Sequence, residues 1–160
     1  MKKILLIVLC SFCVACGFQL RGSTSIPFKS IYISALEGQP IVTELKRTIQ
    51  NSGKTLVLDK SQDAEATLQI TNARITKHIW SISGSGRVRE FQLRYQVSYR
   101  IIDIKGLEIA PTSVVTLTRI MPFADAQVLA KEGEERMLAS EMYRDAAWQI
   151  IQRLSKAQPQ

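Results

Sequence analysis

Few side chains in this sequence could do covalent or metal chemistry, and their spacing removes most of them. The single histidine, His78, falls in a run of strand-like alternation, whereas a metal centre or general base needs a second nitrogen, thiol or carboxylate close by. A plain strand residue is the simpler reading, and no metal or other cofactor is expected. Gly84-Ser85-Gly86-Arg87 has the glycines of a phosphate loop, but it joins two strands, no helix follows it, and the Lys-Ser/Thr ending is missing. The sequence has no Gly-x-Ser-x-Gly elbow. Glu132, Glu134 and Glu135 read as a solvated face near a helix start, where the dipole favours acids. No enzyme is expected. What remains is charge: residues 72–100 hold Arg74, Lys77, Arg87, Arg89, Arg94 and Arg100 against Glu90 alone, a net of +5. Two readings stay open. Long cations blunt strand edges against aggregation, and Arg87 with Arg89, on the same side of an exposed tip, can grip one anion together.

The rest of the chain says where such a surface would work. With 160 residues, 46% of them apolar and 22% charged, it suits one folded domain. Lys2 and Lys3 precede an apolar and small run from Ile4 to Ala15, too short to span a bilayer as a helix and patterned as a signal peptide. That run closes on Cys13-Val14-Ala15-Cys16, which resembles the lipobox of bacterial lipoproteins, with Cys13 standing where Leu is usual. Leu9 and Phe12 precede Cys10 and Cys13, where processing wants a small side chain, so Cys16 is the expected lipidation site. The alternative is a simple signal peptide cut elsewhere, leaving Cys16 a free thiol. Gly17 in place of Asp implies sorting to the outer membrane, with the body in the periplasm. The mature chain then has 145 residues and no further cysteine, so disulfides and thiol chemistry fall away. Loss of Lys2 and Lys3 lowers the charge from +7 to +5. The 72–100 segment supplies all of it, and nucleic acid is not the expected polyanion.

The elements that position these residues follow from periodicity. The expected domains are a signal peptide at 1–15, an acylated Gly- and Ser-containing tether at 16–29, one domain at 30–156 and a short polar tail at 157–160. Ile31, Ile33 and Ala35 alternate as a strand. Pro40 opens a helix with Ile41, Leu45 and Ile49 on one face and Gly53 as its stop, and Thr55 to Asp59 forms a second strand. This strand-helix-strand unit predicts a parallel pair. Phe91, Leu93, Tyr95, Val97, Tyr99 and Ile101 alternate with polar residues, one strand with a buried and a wet face. Leu68 and Ile70 are out of phase with Ile75 and Ile79, which predicts a bulge or a strong twist near Asn72. Gly84-Ser85-Gly86 and Asp103 to Gly106 are turns, and Pro111 places the strand from Leu107 to Met121 at an edge or bulge. A last helix, capped by Asp125, runs to about Leu154 and lays Leu138, Ala139, Met142, Ala146, Ile150 and Leu154 on the sheet. Met137 and Trp148 fall on its other side with Glu141 and Arg144, either as surface ornaments or as a partner contact. The fold class is a two-layer α+β domain, a mixed and mostly antiparallel sheet of about four to six strands with two helices on one face.

Two stretches resemble a known family. Cys16-Gly17-Phe18-Gln19-Leu20-Arg21-Gly22 is similar to the Cys-Gly-aromatic-x-Leu-Arg opening of the LptE family of lipopolysaccharide (LPS) assembly lipoproteins. Leu129-Ala130-Lys131-Glu132, followed by Glu141-Met142-Tyr143-Arg144-Asp145-Ala146-Ala147, looks like that family's last helix. The resemblance implies a non-enzymatic plug inside the outer-membrane barrel protein LptD, the two inserting LPS into the outer leaflet, with the membrane held through N-terminal acyl chains. It implies LPS-binding cations at the hairpin tip and in the Ala-Lys step. The second carries over to Lys131; at the tip Gly84 stands where a cation is expected, with Arg87 and Arg89 just beyond. The wet sheet face, Met137 and Trp148 become expected contacts with the barrel. A periplasmic scaffold lipoprotein of another envelope machine, such as barrel-protein assembly, is the alternative reading. Intact-mass measurement of the membrane-purified protein should give a chain that starts at Cys16 and carries acyl groups. A mass for an unmodified cysteine, or for a different first residue, would remove the anchor.

Overall fold

Residues 26–123 and 128–156 are described by the computed structural model, and within them the sheet grows outward from the alternation in one strand. The elements are β1 (Ser30–Ser34), α1 (Pro40–Ser52), β2 (Leu56–Leu58), a 3₁₀ turn (Ser61–Asp63), β3 (Ala66–Ile82), β4 (Val88–Asp103), β5 (Glu108–Pro122) and α2 (Val128–Leu154). They build one five-stranded sheet in the order β2-β1-β3-β4-β5. β1 is parallel to both β2 and β3, and the β3-β4-β5 meander is antiparallel. This is the expected α+β architecture.

On β4, Leu93, Tyr95, Val97, Tyr99 and Ile101 are buried while the residues between them are not. Directly opposed residues share a face, so β4 assigns its neighbours. Leu68 lies across from Ile101, Ala73 from Val97 and Ile75 from Tyr95; Val115 opposes Val97, and Met121 opposes Phe91. The change of phase within β3 has the expected cause. Ile70 pairs with Tyr99 and Asn72 with Ser98, leaving Thr71 as the extra residue of a bulge. That one residue returns Ile75 and Ile79 to the side that Leu68 occupies.

Both helices cover this apolar side in a single core. In α1, Ile41, Leu45 and Ile49 are fully buried at four-residue spacing, and Gly53 ends the helix at φ 67° with its N–H donating to the Gln50 carbonyl. In α2, Met142, Ala146, Ile150 and Leu154 are buried as the periodicity predicts, joined by Ala147 and Ile151. The expected cap Asp125 and the tail 157–160 lie outside the described residues. The tether, expected to run to residue 29, ends sooner: Ile26 and Phe28 are buried in the core. The Thr55 hydroxyl donates to the Phe28 carbonyl (2.9 Å), so this Ile-x-Phe step is the first turn of the body.

Among the described residues Tyr95 is the exception to a satisfied core. Its ring packs edge-on against Tyr143, centroids 5.0 Å apart, but its buried hydroxyl has no hydrogen-bond partner among them. Burial, followed by the neighbouring Tyr143, pushes its ionisation above the ordinary tyrosine value. Because a stranded buried hydroxyl costs about 1–3 kcal/mol, Tyr95→Phe should leave stability unchanged or raise it, whereas Tyr95→Ala should cost about 3–5 kcal/mol. The folded-state value is raised, so the stabilisation tied to this proton is complete below the unfolded value of 10.0 and is lost as pH climbs beyond it. Denaturant midpoints measured from pH 8 to 11.5 should therefore fall more steeply for the native chain than for Tyr95→Phe; parallel curves would mean that the hydroxyl is solvated.

Candidate functional site: the cationic hairpin and the open sheet face

The β3-β4 hairpin outruns the helices that cover its base. β3 has 17 residues, and exposure rises along its apolar side from buried Leu68 to Ile75 at 37%, Ile79 at 58% and Ile82 at 60%. Beyond Ile82 the turn is tightly pinned. Ser83 N–H donates to the Arg87 carbonyl (2.7 Å), Gly86 N–H to the Ser83 carbonyl (2.9 Å), and Arg87 N–H to the Ser83 hydroxyl (3.1 Å). Gly86 sits at φ 79°, where a side chain would be strained. Two further bulges sit just inside the turn. Ile79 pairs with Phe91 and Ser81 with Glu90, which makes Trp80 an extra residue; Ser81 with Glu90 and Ile82 with Val88 makes Arg89 the other. Arg89 is held in place by its backbone, its carbonyl accepting from Phe123 N–H (2.8 Å).

Arg87 and Arg89 are exposed, and neither makes an ion pair among the described residues. Glu90, the one acid of this region, accepts a hydrogen bond from the Ser81 hydroxyl. Lys131 is differently placed. It lies in the first turns of α2, its side chain only 16% exposed, and its ammonium holds Glu134 at 2.6 Å. Phe123 is five residues ahead of Val128, a reach of about 17 Å at most, so α2 starts at the same end of the molecule as the tip. The three expected cations therefore share one end, two free and one paired.

The side of the meander away from the helices carries no layer among the described residues. Across it run Asn72, Ser98 and Val114; Arg74, Gln96 and Thr116; Thr76, Arg94 and Thr118; His78, Gln92 and Ile120. These are mostly polar residues, with Val114 and Ile120 exposed among them, and two exposed arginines, Arg74 and Arg94, make no ion pair among the described residues. His78 is one of this set, its ring nitrogen 3.2 Å from the Thr76 hydroxyl. The described residues hold no group of three potential metal ligands. Met137 and Trp148 share a stripe of α2 but are eleven residues, about 16 Å, apart along its axis. Met137 is 66% and Trp148 39% exposed. Trp148 lines a shallow groove of about 480 Å³ between the helices with Glu44, Arg47 and Thr48.

Three features of this end escape the periodicity argument. Trp80 is 56% exposed because a bulge turns it out of the alternation. Lys77 lies on the covered side, above the Phe91 ring (4.5 Å) and paired with Glu135 of α2 (2.6 Å). Arg119 likewise reaches Asp145 of α2. For Lys77 and Arg119 the signal is a cation on the apolar phase of a strand.

These features define a class: a two-layer α+β domain of the kind found in solved bacterial lipoproteins, in which no described helix is long and apolar enough to cross a membrane. The solution structure of lipoprotein B from Nitrosomonas europaea is 44% identical and superposes with a TM-score of 0.76 over 87% of this chain and 90% of that one. The crystal structure of the rare lipoprotein B from Shewanella oneidensis shares the fold at 21% identity, with a TM-score of 0.69 over 79% and 94%. The family described as LptE: Lipopolysaccharide-assembly matches residues 28–154, and the chain belongs to it. A relative from Yersinia pestis (strain Pestoides F), LPS-assembly lipoprotein LptE, is 30% identical over 87% of this chain and 68% of its own length. Its counterpart from Pectobacterium atrosepticum is 25% identical over 87% and 76%.

The pairing of Lys131 with Glu134 is a partly exposed, three-residue-spaced pair within one helix, of the kind that contributes a few tenths of a kcal/mol. Glu134→Gln should therefore shift the urea midpoint by less than about 0.5 kcal/mol equivalent while leaving the ammonium free. A loss above about 1 kcal/mol would mean that Lys131 is held there for the fold.

Proposed function

We propose that this chain is the lipid-anchored plug and partner of the LPS-assembly barrel protein LptD, binding LPS and assisting its insertion into the outer leaflet. The observation that carries the reading is membership of the LptE family over residues 28–154. The site geometry agrees with it physically. Lipid A phosphates and core-sugar carboxylates are anions that a guanidinium grips through two parallel hydrogen bonds, and Arg87 and Arg89 are exposed at the tip without a carboxylate partner. Lys131 joins them by giving up Glu134. The uncovered Thr, Gln, Ser and Asn face of the meander suits a water-lined barrel lumen, with Met137 and Trp148 as contacts from the helix side. On this reading Cys16 carries the acyl chains, the protein resides in the outer membrane with its body periplasmic and within the barrel, and it catalyses no reaction.

The lipoprotein should co-purify with a large outer-membrane barrel from detergent-solubilised envelopes, and its depletion should reduce surface LPS ahead of general porin levels. An isolated lipoprotein, or porin loss first, would overturn the plug. Arg87→Glu with Arg89→Glu should weaken LPS binding at least tenfold with an unchanged melting temperature, since each charge-assisted bond contributes about 1.5–3 kcal/mol. Unchanged affinity would take the tip out of the site.

A further inference from the structure

The opposite end of the sheet, where the N-terminal segment joins the body, has an apolar surface that neither the core nor the tip accounts for. Leu56 opposes Ser30, Ile31 opposes Ala66, and Ala66 opposes Asp103, so these residues form one terminal row across four strands. On and just beyond that row stand Leu56, 69% exposed, and Ile104 and Leu107, each 65% exposed. Most exposed apolar side chains are scattered and need no explanation. These three share an end, and about 15 Å separates β2 from β4 at the usual strand spacing.

The turn that carries two of them is rigid. Asp103 Oδ1 accepts from both Lys105 N–H and Leu107 N–H at 2.8 Å, Asp103 N–H donates to the Leu107 carbonyl at 2.8 Å, and Gly106 takes φ 80°. Ile104 and Leu107 are thus presented outward by a locked backbone. Three exposed cations, Lys29, Lys54 and Lys105, flank them. Of the nearby acids, Glu65 accepts from Lys29 N–H (2.7 Å), Asp103 closes the turn and Glu108 is paired with Arg100, while Asp63 is exposed.

The chain itself says what covers this end. Phe28 lines a cleft with Asp103, Lys105 and Leu107, so the N-terminal segment departs beside the turn. Cys16 is ten residues ahead of Ile26, at most about 35 Å of chain. We propose that Ile104, Leu107 and Leu56, with Lys29, Lys54 and Lys105 around them, dock on the surface of a phospholipid bilayer, the apolar tips entering the headgroup boundary while the ammonium groups meet lipid phosphates. The inference rests on acylation of Cys16, which brings this end to the membrane. The docked end fixes the tilt of the body, which attachment through acyl chains at a single residue does not do.

The mature acylated chain has no free thiol, so Ile104→Cys and Ser85→Cys each give one labelling site. With an environment-sensitive fluorophore attached and the protein reconstituted in phosphatidylethanolamine/phosphatidylglycerol vesicles, position 104 should shift to the blue and be quenched by lipid-borne nitroxide. Position 85, at the hairpin tip, should be quenched by aqueous iodide. Equal iodide quenching at both positions overturns the proposal. Should intact mass show an unmodified mature chain, the anchor reading fails on its own, and the surface is then tested by partitioning that chain into the same vesicles. Ile104→Ser with Leu107→Ser should lower partitioning at least tenfold, and unchanged partitioning overturns the docking surface.

Discussion

Six apolar side chains at two-residue spacing on β4 must leave water, and they can do so on one side of the strand only. Every larger choice in the fold follows from that. The strand is 16 residues long, so its neighbours have to be long as well, and two hairpins supply them through turns closed at Gly86 and Gly106. The apolar side then needs a cover of matching length. α2, with 27 residues, spans about 40 Å at 1.5 Å per residue, and a sheet of this length could not be covered by α1 alone. α1 instead seals the short parallel part, where β1 and β2 end. The polar side of the same strand acquires no cover, because Gln92, Arg94, Gln96, Ser98 and Arg100 have nothing to gain from leaving water.

Cations on the apolar phase resolve a conflict within this design. Lys77 and Arg119 oppose Leu93 from either side, where an uncompensated charge would resist closure of the helix. Each instead meets an acid of α2, Glu135 and Asp145, at the half-exposed rims of the layer. Such pairs contribute little stability each, but they sit ten residues apart along α2 and on the two strands that flank β4, which fixes the slant of the helix. Arg153 adds a third tie by donating to the Val114 carbonyl. Acids stand where helix meets sheet, and Arg74, Arg87, Arg89 and Arg94 have no acidic partner among the described residues.

Strict alternation made β4, the α1 face and both turns legible from sequence, because each obeys a single period. The bulge at Thr71 was legible for the same reason: two in-phase segments of β3 disagree, and one added residue reconciles them. Less could be read where one residue serves two constraints. Ile26 and Phe28 lie in a Ser- and Pro-containing stretch that composition marks as a linker, and it is their burial in the core, with the Thr55 hydroxyl donating to the Phe28 carbonyl, that shows it is docked. Lys131 reads as a free cation in sequence; its engagement with Glu134 depends on helical spacing within a charge-rich turn, where Glu132, Glu134 and Glu135 are all candidate partners. Trp80 and Arg89 were displaced from their apparent faces by paired bulges, which leave the register beyond them almost intact and so leave no trace in the period.

The length of the hairpin connects the two ends of the molecule. From Ala66 to the turn at Gly84, eighteen steps of about 3.3 Å give close to 60 Å for a straight strand, and twist shortens this to about 50 Å. A bilayer with its headgroups measures about 40–45 Å. A body whose base meets one membrane surface therefore has a tip that reaches the level of the other, provided that the sheet stands upright and is shielded from lipid. Neither condition is met by the described residues alone: the polar face of the meander forbids contact with hydrocarbon, and an attachment at one point does not set a tilt. A surrounding wall satisfies the first, and an end that seats on the headgroups satisfies the second. Under those two conditions the arginines without acidic partners come to the far surface, where phosphates lie within reach, and the separation of charge along β3 and β4 becomes a separation of tasks between two faces of one membrane.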